Sequence, residues 1–174
     1  MECALGMRDV KVCFRRFVLG PLDLDLTPGR VVGLVGPNGS GKTTTMQTII
    51  GILDRDQGRV EVCGEPAVPD KAQWKQAVGY VPDKPVFYEW MNGAGYLDLV
   101  ARFYPRWDAM FARELADRCR LDLAERIKRL SAGNRVKLSL VAALAHRPGL
   151  ALFDEPTAGL DPVVRTEVFD VLGD

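Results

Sequence analysis

The chain is 174 residues long, enough for one domain with a sizeable core, with or without a small subdomain. Its 23 basic and 23 acidic residues cancel to a formal net charge of +0 at pH 7, which argues against the basic footprint of a nucleic-acid binder. The apolar fraction of 47% is ordinary for a globular protein, and no apolar run reaches the ~18–20 residues needed to span a bilayer.

In chain order, Val10 to Phe14 and Leu22 to Leu26 alternate apolar and polar residues, the pattern of strands with one wet face. Thr27-Pro28-Gly29 turns the chain into Val31-Val32-Gly33-Leu34-Val35, an unbroken apolar run that reads as a strand buried on both faces. Gly36-Pro37-Asn38-Gly39-Ser40-Gly41-Lys42-Thr43 follows, and a helix is predicted from Thr44 to Ile50. Arg59 to Cys63 is a short strand closed by Gly64-Glu65-Pro66, and Ala77 to Val81 is a buried strand closed by Pro82. From about Pro85 to Leu130 the pattern turns helical. Trp107, Phe111, Leu115 and Cys119 recur at steps of four behind a capping Asp108, the signature of a core-facing stripe. Ser131 is the natural N-cap of a largely buried helix from Ala132 to His146, with His146 favoured at its end by the helix dipole. Leu150 to Phe153 is one more buried strand. Cys3, Cys13, Cys63 and Cys119 lack both metal-ligand spacing and disulfide density, so they read as buried or idle thiols of a reducing compartment.

Three segments carry chemistry. The run Gly36–Thr43 fits G-x-x-x-x-G-K-[ST] between a predicted strand and a predicted helix. Glycines let the backbone wrap a phosphate, the helix start adds partial positive charge, Lys42 adds a full one, and the Thr43 hydroxyl is placed for Mg²⁺. Thr44 continues the same turn. Second, Leu150–Phe153 runs into Asp154-Glu155-Pro156, at the strand end where parallel sheets bind ligands. There Asp154 suits Mg²⁺ and Glu155 suits polarising a water, although two acids after an apolar run also make an ordinary surface turn. Third, Leu130-Ser131-Ala132-Gly133-Asn134 is either a second anion-binding helix start or a plain N-cap.

Together with Ala158-Gly159-Leu160-Asp161, these segments in this order resemble the ATP-binding subunits of ABC transporters over essentially the whole chain. The stretch Phe103 to Asp108, and Asp161-Pro162-Val163-Val164-Arg165, resemble the bacterial branch of ABC-2 type exporter ATPases. The resemblance implies an α/β fold: a P-loop NTPase core with a mostly parallel sheet, an N-terminal antiparallel β subdomain and a helical subdomain. It implies one ATP-binding domain over 1–174, incomplete at its C-terminus. The core and antiparallel part would occupy 1–84 and the helical part 85–130, with the signature helix, acidic strand and D-loop at 131–174. It further implies an ATPase that binds ATP and Mg²⁺ and pairs head to tail with a second ATP-binding protomer. Each ATP would lie between Lys42's loop in one protomer and Ser131–Gly133 in the other, with Asp161 near the interface. Phe14 is similar in position to the adenine-stacking aromatic, although as a strand residue it is equally a core candidate.

The implied partner is a transmembrane permease, contacted through the segment around Phe87, Tyr88, Trp90 and Tyr96. That places the protein in the cytoplasm, peripheral at the inner face of the membrane, with no nucleic-acid partner. A soluble ABC ATPase unconnected to transport and an ATP-holding fragment deficient in hydrolysis are the alternatives. The chain departs from the family pattern at Ala132 and Asn134 in the signature, and at Asp83, where the Q-loop glutamine would help hold the metal. Its single histidine, His146, precedes the acidic strand, whereas the family's switch histidine follows the D-loop. A missing central strand would leave unpaired backbone beside Val31–Val35. The 174 residues alone are therefore expected to be weakly stable or to recruit strands from another copy; a monodisperse monomer with a cooperative, high-temperature melt would contradict this.

Overall fold

Alternating apolar residues in the first part of the chain build an antiparallel sheet. In the structure, a computed structural model that describes residues 3–69 and 71–172, β1 (Leu5–Phe14) and β2 (Phe17–Leu26) form a long hairpin. β3 (Gln57–Val62) pairs with the other edge of β1 and β4 (Glu65–Pro66) with β3, giving the order β2-β1-β3-β4. The buried face of β1 changes parity along the strand. Leu5 and Met7 point inward, then Val10 and Val12 do, all at most 4% exposed. A bulge between Met7 and Val10, with Asp9 at φ 48, supplies the extra residue that keeps the apolar set on one side. Between the hairpin and β3 lies α1 (Lys42–Ile49), which buries Thr45, Thr48 and Ile49.

The chain divides into two compact units, Met1–Val78 and Gly79–Asp174. The second is built on β5 (Val78–Val81), which begins at the division and pairs in a two-stranded parallel sheet with β6 (Leu150–Phe153). Between these strands run α2 (Gly93–Ala101), α3 (Ala109–Arg118) and α4 (Ala132–Leu144); α5 (Pro162–Leu172) follows β6. The predicted caps form. Asp108 accepts from the Phe111 N–H at 2.9 Å, and Ser131 Oγ accepts from the Asn134 N–H at 3.1 Å. The Asp108 carboxyl is held below its ordinary range chiefly by that Phe111 N–H, with Arg147 adding a hydrogen bond. Leu115, Cys119, Ile127 and Leu138 form the helical core, and Trp107 and Phe111 pack partly against it, as the four-residue stripe implies. A smaller cluster joins Val81, Leu140, Ala143, Leu160 and Val168.

The structure overturns one expectation and refines three. Val31–Val35 is neither a strand nor buried: Val31 and Val35 are each 97% exposed. A parallel strand is held only by ladder partners and covering layers, and among the described residues nothing pairs with this segment. His146 lies just past the end of α4 (Ala132–Leu144), where it is 1% exposed and stacks on Tyr104, with ring centroids 3.9 Å apart. Cys13 and Cys63 are exposed, whereas Cys119 is buried. The aromatic set splits, with Phe87 edge-on to Tyr96 against the core and Tyr88 and Trp90 facing outward. Leu138→Ala is expected to lower unfolding free energy by about 2–5 kcal/mol in urea titration through the cavity it leaves. The exposed Met110→Ala should change it by no more than about 0.5 kcal/mol.

Candidate functional site

The phosphate-loop pattern folds into a turn that ends directly in α1. Gly39 and Gly41 take left-handed backbone angles, φ 82 and φ 97, which a side chain would resist. No side chain caps α1, so the partial positive charge of its N-terminus faces the loop. The Ser40 N–H donates to Pro37 O at 3.2 Å and tightens the turn. Lys42 Nζ donates to Gly36 O at 3.0 Å and to Pro37 O at 3.2 Å, which holds the ammonium over the loop. Gly36 to Ser40 and Thr43 are exposed, while Gly41, Lys42 and Thr44 are partly buried.

What holds this loop lies behind it. A Cβ on Gly41 would sit 2.6 Å from Leu19 Cδ1 and 3.3 Å from Phe17 Cζ, so β2 packs directly on the glycine. The same Phe17 stacks on Phe14, with centroids 6.2 Å apart and planes 26° apart. Phe14 is 44% exposed and so belongs to a surface aromatic pair beside the loop, not to the core. Phe17 escapes sequence reading because the turn at Arg15-Arg16 carries no glycine or asparagine to announce the hairpin that pairs it with Phe14.

In the second unit, the Asp154 N–H donates to Val81 O at 2.9 Å and continues the β5–β6 ladder. The Asp154 side chain is 1% exposed, whereas the next residue, Glu155, is exposed. Glu155 sits at φ 50, a left-handed angle that costs a non-glycine residue on the order of 1–3 kcal/mol and is typical of functional positions. Asp83 is also exposed, just beyond β5. Tyr80 links these acids: burial pushes its phenol up, and the negative charges of Asp154 and then Asp83 push it further. In the sequence Tyr80 reads as an ordinary strand residue between Ala77 and Val81. No group of three or more His, Cys, Asp or Glu among the described residues is disposed to hold a metal. A pair of carboxylates is nonetheless the donor set suited to Mg²⁺, which keeps several waters and takes its remaining ligands from phosphate.

The third segment starts α4. Ser131 and Ala132 are exposed, and the Ser131 hydroxyl serves the helix as its cap. Gly133 is buried: a Cβ there would meet Val164 Cγ1 at 2.9 Å. Asp161 is exposed and its carbonyl accepts from the Arg165 N–H at 3.0 Å, at the start of α5.

A family model described as "ABC transporter" matches residues 19–158, spanning all three segments. The chain belongs to that family. It is 36% identical over 157 residues to the ABC transporter ATP-binding protein YtrB of Bacillus subtilis, covering 90% of this chain and 53% of that protein. It is 34% identical over 179 residues to the Nod factor export ATP-binding protein I of Cupriavidus metallidurans, covering 99% and 59%. The chain thus spans about half the length of the curated relatives it matches. A solved ATP-binding subunit of an ABC transporter superposes with a TM-score of 0.87 at 27% identity, covering 97% of this chain and 73% of that one. None of the helices among the described residues is long and apolar enough to cross a membrane. Gly41→Ala is expected to weaken ATP binding about tenfold or more by calorimetry, because strain of about 1–3 kcal/mol falls on the loop itself.

Proposed function

We propose that this chain is the ATP-binding and ATP-hydrolysing part of a transporter, and that it drives substrate movement by closing on a second ATP-binding protomer. The observation that carries the reading is the phosphate loop: left-handed Gly41 held by Leu19 and Phe17, an uncapped α1, and Lys42 folded over the turn. Backbone N–H groups at such a helix start recognise phosphate oxygens, and Lys42 neutralises their charge. Phe14 and Phe17 offer a flat apolar surface beside the loop for the adenine ring. Thr43 at the loop is one candidate oxygen donor for Mg²⁺, and Asp154 and Asp83 at the end of the β5–β6 sheet are others; Mg²⁺ would neutralise charge developing on the transferred phosphoryl group. Glu155, exposed and held at a strained angle, orients and polarises the attacking water.

Ser131–Gly133 is the complementary half, engaging the γ-phosphate held by the partner protomer, with Asp161 beside it at the same interface. The permease docks on the outward Tyr88 and Trp90, whose rings lie 6.1 Å apart, together with Val86, 88% exposed. Such a subunit works at the cytoplasmic face of the membrane and has no call on nucleic acid.

In the full-length protein, Glu155→Gln should lower steady-state phosphate release by about 10²-fold or more while leaving ATP affinity within about threefold, since it removes only the water-orienting group. Lys42→Ala should reduce ATP affinity itself. Equal phosphate release from Glu155→Gln and wild type would overturn the catalytic assignment. Co-purification with nucleic acid instead of a multi-span membrane protein would overturn the transport assignment.

A further inference from the structure

We propose that a buried ion pair between Lys137 and Glu167 is a positioning device. It locks the start of α4 (Ser131–Gly133) to the turn at Ala158–Asp161, so that the two are presented to a second protomer as one rigid piece. The inference rests on the dimer reading above and extends it to two residues with no role in binding ATP.

Lys137 lies one turn beyond Gly133 on α4, on the face that should hold an apolar side chain, and the residue is 4% exposed. Its Nζ is 2.5 Å from Glu167 Oε2, and the Glu167 side chain is 19% exposed. Another cation, Arg120, lies 3.9 Å from Glu167, and its own side chain is 84% exposed and solvated. The pair also meets the end of α3: burial pushes the Cys119 thiol up, while Lys137 pulls it down and Glu167 pushes it up. An ion pair in this setting adds little stability over two well-packed apolar side chains, because both charges lose their water. It adds direction instead, since the charges meet in only one register.

That register has a steric counterpart one turn earlier. Val164 of α5 sits on Gly133 so closely that a Cβ there would be 2.9 Å from Val164 Cγ1. Leu140, about one turn after Lys137, shares an apolar cluster with Val168, the residue next to Glu167. Three contacts thus join the two helices: Val164 on Gly133, Glu167 on Lys137, and Val168 in one apolar cluster with Leu140. The steric contact sets how close α5 approaches, and the ionic contact sets its rotation and its position along α4. Because α4 starts just after Ser131 and α5 just after Asp161, fixing one helix on the other fixes the two segments relative to each other.

The test uses the full-length protein with Glu167→Gln, the apolar pair Lys137→Met with Glu167→Met, and the exchange Lys137→Glu with Glu167→Lys. Hydrogen–deuterium exchange reads the lock directly. Glu167→Gln should speed amide exchange at Ser131–Lys137 and Ala158–Asp161 together, by about tenfold, and leave the Gly36–Thr43 loop unchanged. The apolar pair should keep the melting temperature but still loosen both segments, and the charge exchange should restore them. ATP affinity of the single protomer should stay within about twofold in all three, while ATP-driven dimer association falls about tenfold in the first two. Loosening of only one segment, or tight segments in the apolar pair, would overturn the lock. A wild-type protein that binds ATP without dimerising would overturn the dimer reading, while the exchange pattern would still judge the coupling by itself.

Discussion

A helix start can cradle phosphate only where its backbone is bare, and bare backbone has to be held in place from behind. Both candidate helix starts meet this constraint by packing another element onto a glycine. Leu19 and Phe17 of β2 press on Gly41, and Val164 of α5 presses on Gly133. Much of the rest follows. The β1–β2 hairpin must run as far as Phe14 and Phe17 to bring β2 to the loop. The bulge at Asp9 keeps the apolar face of so long a strand turned inward. In the other unit, α5 must lie along α4, which accounts for a glycine, a lysine and a leucine on one face of that helix.

The acidic end of β6 follows a different logic. Asp154 is anchored by the sheet ladder and buried, so its position is fixed by backbone geometry rather than by rotamer choice. Glu155 leaves the strand at φ 50, a strain that turns it outward while its neighbour stays in. Burial raises the Tyr80 phenol, and the charges of Asp154 and Asp83 raise it further, so both acids lie within electrostatic reach of the same ring. A negative charge at Asp83 strengthens attraction for a divalent cation and lengthens the list of charges that the cation must offset.

Local signals are legible in the sequence. Asp108 and Ser131 act as caps because capping needs only a short polar side chain three residues before an N–H. The Leu115–Cys119 stripe, the alternation in β1 and the Gly-rich turn were legible for the same reason. The failures share a cause as well. Val31–Val35 looks buried by composition, but burial belongs to neighbours, and the described residues supply it with no ladder partner. His146 looks like a helix-end cation but stacks on Tyr104, a residue far from it in sequence. Nothing local marks Lys137 as buried, and Glu167, brought to it by the docking of α5, offsets its charge.

The sequence by itself determined the phosphate loop, the acidic strand end, the signature-like helix start and their order, because each depends on residues within a few positions of one another. Only the tertiary structure decided which side chains stand behind those segments: Leu19 and Phe17 at Gly41, Val164 at Gly133, and Glu167 at Lys137. Those contacts join residues distant along the chain, through side chains of no unusual type. No local pattern marks them until packing brings their elements together.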